Sequence, residues 1–312
     1  MPHPPRHFRQ LTSCLVHTSI QILSLYHTSL LRQPTPHPSP HNRYTSHFTS
    51  TSRPYARSAL LLQTIQYTEL LCEMFAKRRG GEKLRWRLVV IMEFLKALCR
   101  IVMLRVTGMR MLVSPPLAER GSLPLDENPD DPDSPDKDWK MPRTGSPLPP
   151  LPPNNSIPAF LSTRVLSAND IKPAPSLIRR LTTPQAQFAE YLYILRPVIY
   201  VLAMQRFQNN KRDWRPWMLG LAIEVGTRAL QKRELQRQPW AMTGLEREEM
   251  AKRRWGLGWW VMRGVFYEDF TRGWISSFTD RMKGKPLLDM VGTIVEDYEY
   301  LWDEYHFATT SM

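Results

Sequence analysis

Cysteine, and histidine outside the first 54 residues, are scarce in this sequence of 312 residues. The three cysteines, Cys14, Cys72 and Cys99, have neither paired nor metal-binding spacing, which argues against a disulfide framework and favours a reducing compartment. His306 is the one histidine beyond residue 54, and no Walker-type or dinucleotide-binding glycine loop is present in the sequence. We therefore expect a protein that is not an enzyme and that has no catalytic residue, cofactor or metal site.

A long uncharged hydrophobic run is also lacking, and the mean hydropathy is -0.39, which is not typical of a polytopic membrane protein. Residues 86–105 come nearest to such a run, because the 17 residues between Arg87 and Arg105 form about 26 Å of helix. A bilayer core of roughly 30 Å requires about 20 residues. The length is therefore close to spanning but not sufficient.

Charged residues interrupt this segment on one side only. Glu93, Lys96 and Arg100 fall within an arc of about 60° on a helix, and the other positions are apolar or cysteine. Three arrangements account for this stripe: a helix in the headgroup plane, a spanning helix with the stripe turned into a bundle, or an amphipathic helix in a soluble core. A lone spanning helix is excluded, because each lipid-facing charge costs about 2.5–3.5 kcal/mol.

Positive charge is concentrated in parts of the chain. The formal net charge is +13; residues 1–60 contain no acid, and residues 77–110 contain ten Lys and Arg against two Glu. A basic surface attracts an anionic membrane or a nucleic acid, although a merely solvated surface has the same composition. Tryptophan beside Arg215 at the turn of a helical hairpin favours lipid headgroups. The candidate membrane-contacting residues are Val89, Val90, Phe94, Ile101, Leu104, Val198, Trp214 and Trp217.

Periodicity and composition divide the chain into four parts and predict an all-α fold, a membrane-associated helical bundle with two disordered segments. Residues 1–54 are expected to be a mostly disordered leader with a short helix near 20–32, and residues 55–114 a first helical pair broken at Gly80-Gly81. Residues 115–183 are rich in proline and acids, and this composition predicts a disordered linker. Residues 184–312 are expected to be a second helical region.

The second helical region contains three recognisable segments. Residues 190–230 predict a helical hairpin, and residues 255–274 a tryptophan-rich helix. Residues 286–307 predict an amphipathic acidic helix that docks back onto the chain. One face of the tryptophan-rich helix is a candidate packing or partner-binding face, formed by Trp255, Trp259, Met262, Phe266 and Phe270.

Long stretches of the sequence resemble a known family. Residues 65–120, with Ser-Pro-Pro-Leu at 114–117, and residues 190–230, with Trp-Arg-Pro-Trp at 214–217, resemble the two hydrophobic blocks of the peroxin sixteen family, fungal branch. Residues 252–309 are similar to fungal members over nearly their whole length, and shorter stretches match within residues 24–50. The resemblance covers about residues 22–120 and 184–312.

The resemblance implies a peroxisomal membrane assembly factor that helps deliver or insert peroxisomal membrane proteins and supports peroxisome biogenesis. It implies residence at the peroxisomal membrane with passage through the endoplasmic reticulum. The implied partners are membrane lipids, other peroxins and peroxisomal membrane protein cargo, and no nucleic acid is expected. The alternative from the residues alone is a soluble basic α-helical scaffold or nucleic-acid-binding protein.

Overall fold

The computed structural model describes residues 6–30, 39–119, 172–207, 213–237, 242–282 and 305–307. Within these ranges the regular secondary structure is helical, and an isolated bridge between Arg110 and Arg180 is the sole β-type pairing. The prediction of an all-α fold is therefore confirmed for the described part of the chain.

Seven α-helices longer than one turn are formed by the described residues. In chain order they are α1 Arg6–Leu30, α2 Pro40–Thr51, α3 Arg53–Val106, α4 Pro184–Arg206, α5 Trp214–Arg237, α6 Gly244–Gly256 and α7 Arg272–Met282. Short 3-10 helices lie at Ala174–Leu177 and Leu257–Met262, a single α-turn at Gly264–Phe266 and a π-helical turn at Tyr267–Thr271.

The first 54 residues contain more helix than the composition indicates. Helix α1 packs along α3, where the Thr18 hydroxyl donates to the Tyr67 carbonyl at 3.2 Å, and α2 begins at a Ser39 cap followed by Pro40. Most helical stability in proteins comes from tertiary packing, so a weak local preference for helix is overridden here. The expected single short helix near 20–32 is replaced by α1 and α2 among the described residues.

Helix α3 is bent back on itself at Gly81, which has φ 65° and ψ -163°. Glycine adopts this backbone conformation readily because it has no Cβ atom. The bend separates a first arm (residues 53–80) from a second arm (residues 82–106). Tyr55 and Leu62 of the first arm share a buried cluster with Cys99 and Met103 of the second, so the arms run antiparallel.

Helices α4 and α5 form the predicted hairpin, and α4 packs against α3. Gly220 of α5 allows the Trp260 ring to approach closely, since a Cβ at this position would lie 2.2 Å from that ring. The buried residues Trp86 and Val89 of α3, Tyr200 and Val201 of α4, Trp260 and Phe307 form one cluster at this junction. We refer to the second arm of α3 with α4 and α5 as the helical bundle.

An apolar core lies beside the helical bundle, at the other end of the second arm. It is formed by Tyr44, Met111, Val113, Leu177, Ile178 and Leu245, and we refer to it as the Tyr44 core. Leu177 and Ile178 lie within residues 115–183, which were expected to be a disordered linker. That expectation is wrong for residues 172–183, because these two side chains are fully buried. Residues 120–171 lie outside the described ranges.

The segment predicted as one tryptophan-rich helix is divided. Helix α6 ends at Gly256, a 3-10 turn follows, and the chain restarts at Gly264, which has φ 57°. Glycines weaken an α-helix by up to about 1 kcal/mol each, and their density here explains the interruptions. For the predicted helix at 286–307, residues 286–304 lie outside the described ranges.

Candidate membrane-facing surface and buried charge network

The middle of the second arm of α3, residues 91–98, exposes large apolar side chains and buries charged ones, the reverse of the usual pattern on a water-soluble protein. Glu93 and Lys96 are 1% and 5% exposed, whereas Ile91 and Phe94 are 63% and 59% exposed. Leu98 continues the exposed side one turn later. Residues spaced by three and four positions share a helix face, so the charged stripe faces the protein and the apolar stripe faces outward.

Lys96 is the centre of the buried charges. Its Nζ donates to Glu69 Oε2 at 2.8 Å and to Glu93 Oε1 at 2.7 Å, which ties the two arms of α3 together. The Phe307 ring also lies 4.7 Å from Nζ, at a distance suited to a cation–π contact. One cation therefore compensates two buried carboxylates.

Glu73 provides a second buried contact between the arms. It accepts hydrogen bonds from Arg85 Nε at 2.9 Å and from the backbone N–H groups of His306 and Phe307 at 2.8 and 2.9 Å. Residues 305–307 are thus held against α3. This contact agrees with the predicted docking of the chain's last segment, although the helix itself lies outside the described residues.

Helix α5 shows the same reversal. Glu224 is fully buried, forms an ion pair with Arg196 of α4, and accepts from Arg228 Nη2 at 2.7 Å. An exposed stripe on α5 is entirely apolar, with spacings of three and four residues. It consists of Met218, Ala222, Val225 and Ala229.

The free-energy cost of burying these charges while exposing apolar side chains indicates which medium suits the helical bundle. Removing an ion from water costs several kcal/mol even in real proteins, and the attraction within a pair repays this only with good geometry. Burying a large apolar side chain instead would contribute about 1.5–3 kcal/mol. In water, burying Glu93 and Lys96 while exposing Ile91 and Phe94 is therefore unfavourable. An apolar medium around the bundle removes this disadvantage, because both faces then meet groups of their own polarity.

The buried positions alter the acidity of their groups. Burial raises the pKa of Glu69 to about 7, although Lys96 acts in the opposite direction. Burial lowers the pKa of Arg196 to about 10, and positive neighbours including Arg263 and Arg100 add to this effect. Burial also lowers the pKa of His306 well below its usual value, with Arg263 and Lys96 nearby. Burial therefore favours the neutral form of each of these three groups, relative to the same group in water.

A second network joins α6 to the rest of the chain. Arg253 donates to both carboxylate oxygens of Glu190, at 2.6 and 2.8 Å, and to the Leu112 carbonyl at 3.2 Å. Burial alone would lower the pKa of Arg253, but Glu190 raises it overall. Glu249 accepts from the backbone N–H of Ser114 at 3.1 Å. These bonds fix the backbone at the boundary of the Tyr44 core.

The predicted membrane-contacting residues separate into two groups. Val89, Leu104 and Val198 are buried in protein clusters, so they do not face outward, and for them the hypothesis is wrong. Val89 and Leu104 lie on the side of α3 that packs against α4, and Val198 lies on α4 facing α3; the sequence alone did not distinguish these positions from the outer face. Phe94 and Trp214 are exposed, whereas Val90, Ile101 and Trp217 are partly buried.

The candidate packing face is not one helical face. Trp255 is 82% exposed and Phe270 is exposed, while Met262 and Phe266 are partly buried; the side chain of Trp259 lies outside the described part. Phe266 stacks on Trp217 with ring centroids 5.4 Å apart. Trp214 lies edge-on to Trp217, at 5.5 Å. The structure thus joins two of the predicted membrane contacts with two of the predicted packing residues in one aromatic cluster.

Several outward residues were absent from the sequence-based set. They are large apolar side chains on α3, α4 and α5: Ile91, Leu98, Phe188, Leu202, Met218, Leu219 and Val225. The i, i+7 spacing of Ile91 and Leu98 opposite Glu93 was the available signal. Among the described residues, no helix has both the length and the apolarity needed to cross a membrane, and no group of His, Cys, Asp and Glu in these ranges is arranged to hold a metal ion.

Comparison with known proteins shows a family match over most of the chain. Residues 5–304 match the family described as Peroxisomal membrane protein (Pex16). The match begins well before residue 22, so it extends further than the resemblance found in the sequence. No solved structure matches the chain.

Individual relatives come from distant organisms. The chain is 24% identical over 303 residues to "Peroxisome biogenesis protein 16" of Arabidopsis thaliana, covering 81% of this chain and 78% of that protein. It is 23% identical over 299 residues to "Peroxisomal membrane protein PEX16" of Schizosaccharomyces pombe, covering 87% and 80%. A third relative, "Peroxisome biogenesis factor 16" of Dictyostelium discoideum, is 28% identical over 123 residues, covering 39% and 30%.

Proposed function

The chain belongs to the Pex16 family of peroxisomal membrane proteins, and we propose that it acts in peroxisome biogenesis as a membrane-bound assembly factor that helps deliver or insert peroxisomal membrane proteins. The observation that carries the proposal is the reversed polarity of the helical bundle, with Glu93 and Lys96 inside and Ile91 and Phe94 outside. An exposed apolar stripe next to a paired charged interior suits contact with lipid tails.

The membrane contact has a defined surface in this proposal. The exposed stripe of the second arm meets the acyl region, and the aromatic cluster around Trp214 and Trp217 lies at headgroup depth, where tryptophan is enriched. Arg87 and Arg215 are exposed near these surfaces and attract anionic headgroups. The protein partners of this function are other peroxins and peroxisomal membrane protein cargo, reached at the peroxisome after passage through the endoplasmic reticulum.

Paired substitutions test the membrane contact. The double variant Ile91→Asp/Phe94→Asp is expected to leave the membrane fraction in flotation after a carbonate wash, because two charges are placed in the exposed stripe. The matched control, Arg78→Asp/Arg79→Asp, changes exposed residues of the first arm beside the bend. Circular dichroism verifies folding of both. Flotation of the Ile91/Phe94 variant equal to wild type would contradict the proposal.

Function in cells is tested by complementation. Cells lacking the gene are expected to regain peroxisomes with the wild-type chain and with the Arg78/Arg79 control, but not with the Ile91/Phe94 variant. During recovery, a tagged chain is expected first at the endoplasmic reticulum and then beside a peroxisomal membrane marker. Full complementation by a chain that stays off membranes would support a soluble scaffold instead.

A further inference from the structure

A cavity lined mainly by polar side chains lies between the two arms of α3 and helix α4. It has a volume of about 240 Å³, and a water molecule requires roughly 10–15 Å³ of such space, so the cavity accommodates a larger group. Its lining includes partly exposed residues such as Gln66 and Arg100, and it therefore opens to the surface. Arg100 is two residues from Leu98 of the exposed apolar stripe, about 3 Å along the helix axis, so the cavity and the stripe lie at the same level of the bundle.

All but one of the charged groups in the lining have partners within the protein. Lys96 bonds both carboxylates of the lining, and Arg196 forms an ion pair with Glu224. The guanidinium of Arg263 lies 5.6 Å from the centroid of the Trp260 ring, at a distance suited to a cation–π contact. No ligand is needed to neutralise these groups, so the lining does not favour a strongly charged ligand.

Four lining side chains have hydrogen-bonding groups that the fold does not use. Within the described ranges, the side chains of Gln63, Gln66, Tyr67 and Arg100 form no hydrogen bond with the protein. The spacing of three and four residues places Gln63, Gln66 and Tyr67 on one face of the first arm, and Arg100 is on the second arm. The amide oxygen of Gln63 is also buried. Buried polar atoms are almost always paired, so this oxygen indicates a partner that donates a hydrogen bond.

These four side chains together offer donors and acceptors. The two amides and the phenol both donate and accept, whereas the guanidinium of Arg100 only donates. A ligand that only accepts, such as a phosphate dianion, would leave the Gln63 oxygen unpaired, and a ligand that only donates, such as an ammonium group, would leave Arg100 unpaired. A peptide group or a carboxamide suits both residues, because each has an N–H donor beside a carbonyl oxygen.

We infer that this cavity binds the peptide groups and uncharged polar side chains of a protein segment that is being inserted into the membrane; the inference rests on the proposed function. Gln63 accepts a hydrogen bond from an N–H group of the segment, and Arg100 donates to one of its carbonyl oxygens. In an apolar medium, a polar group without a partner is strongly unfavourable. Because the cavity lies at the level of the apolar stripe, it supplies partners at a depth where lipid supplies none.

Two synthetic peptides test the site with the full chain in phosphatidylcholine vesicles. Both are helices of leucine and alanine about 20 residues long, the length that spans a bilayer core. One of them carries a central Asn-Ser pair, and each has a photoreactive diazirine residue beside the centre. Mass spectrometry after irradiation identifies the labelled residues. We expect the Asn-Ser peptide to label residues 63–67 and Arg100, and the apolar peptide to label the exposed stripe around Phe94.

Substitutions in the cavity separate hydrogen bonding from shape. The double variant Gln63→Met/Arg100→Met keeps unbranched side chains but removes the acceptor and the donor. The matched control, Gln205→Met/Arg206→Met, makes the same changes at exposed positions of α4. We expect the cavity variant to bind the Asn-Ser peptide about tenfold more weakly than the control, in line with lost hydrogen bonds, and Gln63→Met alone to be intermediate. Melting curves without peptide verify the folding of each variant.

The labelling pattern and the variants decide the inference together. Labelling of the lining that requires the Asn-Ser pair and falls in the cavity variant supports it. No labelling of the lining, equal labelling by the two peptides, or equal binding by the cavity variant and its control overturns it and leaves a cavity that holds only water. Flotation of the cavity variant is expected to match wild type, because the exposed stripe is intact. Failure of the proposed membrane contact would appear separately, as unchanged flotation of Ile91→Asp/Phe94→Asp.

Discussion

The Tyr44 core and the helical bundle both bury apolar clusters, but they differ in the side chains that they expose. In the Tyr44 core, Leu177, Ile178 and Leu245 are inside, and the buried carboxylate of Glu246 beside it pairs with the partly exposed guanidinium of Arg179. In the helical bundle, Glu93 and Glu224 are fully buried, whereas Phe94 and Val225 are exposed. One chain thus combines a region built for water with a region built for an apolar surrounding.

The difference shows how an apolar environment is encoded without an uncharged hydrophobic run. The second arm of α3 and helix α5 each keep charged residues on an inner face, and pairing with neighbouring segments satisfies them, as Lys96 does for Glu69 and Glu93. The second arm then combines buried charges and buried apolar residues on its inner side with exposed apolar residues on the side that faces away from its neighbours. Hydropathy averaged along such a segment underestimates its affinity for lipid, because it does not separate the two faces.

Removing the central cation should have the largest effect. Lys96→Met leaves Glu69 and Glu93 without their shared partner, and breaking a buried pair in this way typically costs about 3–5 kcal/mol. Lys83→Met, at an exposed position just after the bend, should cost less than about 0.5 kcal/mol. Denaturant unfolding in mild detergent measures both. A triple variant, Lys96→Met/Glu69→Gln/Glu93→Leu, should recover much of the loss, and failure to do so would argue against charge pairing as the cause.

Two leucine truncations compare the regions directly. Leu245→Ala in the Tyr44 core removes a fully buried side chain and should lower the free energy of unfolding by about 2–4 kcal/mol. Leu98→Ala, at an exposed position of the bundle, should change it by less than about 0.5 kcal/mol while weakening flotation with vesicles. The same unfolding and flotation assays are applied to both variants. A greater loss of stability in Leu98→Ala would mean that its side chain packs within the protein.

A smaller effect is expected from pH. The pKa of Glu69 is raised to about 7 by burial, so the folded state holds its proton more tightly than the unfolded state. Stability from this source is present below the unfolded pKa of about 4.5 and is lost as pH rises through about 7. Glu69→Gln should abolish that part of the pH dependence, on the order of 1–3 kcal/mol between pH 5 and 8. The melting temperatures of the wild type and of Glu69→Gln are measured over this pH range. If both change with pH by the same amount, Glu69 is not the source of the pH dependence.

The sequence predicted the positions of the helices better than it predicted which face of each helix is buried. Periodicity indicated the two arms of α3 and the α4–α5 hairpin, and the glycine pair indicated the bend at Gly81. The stripe of Glu93, Lys96 and Arg100 was visible in the sequence, but the direction in which it faces was not, because the partner Glu69 lies on the other arm of α3. Local periodicity defines faces, whereas long-range pairing decides which face is inside.

The predictions that the structure contradicts also failed because contacts between distant parts of the chain are not visible in local sequence. Val89 and Leu104 look like outer residues on an isolated helix, but both are buried by contacts with α4, and Val89 also lies in a cluster with Trp260 of the 3-10 helix that follows α6. Composition marked residues 172–183 as linker, yet Leu177 is covered by side chains distant in sequence, including Tyr44 and Leu245. The single face expected for Trp255 and Phe266 failed because glycines divide the helix between them.

The most direct test of the central claim measures the surroundings of one residue in each region. An environment-sensitive fluorophore is attached at position 94 of the helical bundle (Phe94→Cys), and a second preparation carries it at position 50 beside the Tyr44 core (Ser50→Cys), both in a chain whose native cysteines are replaced by alanine. On vesicles that contain nitroxide-labelled acyl chains, the account predicts blue-shifted emission and strong quenching at position 94, and neither at position 50. Equal emission and equal quenching at the two positions would contradict it.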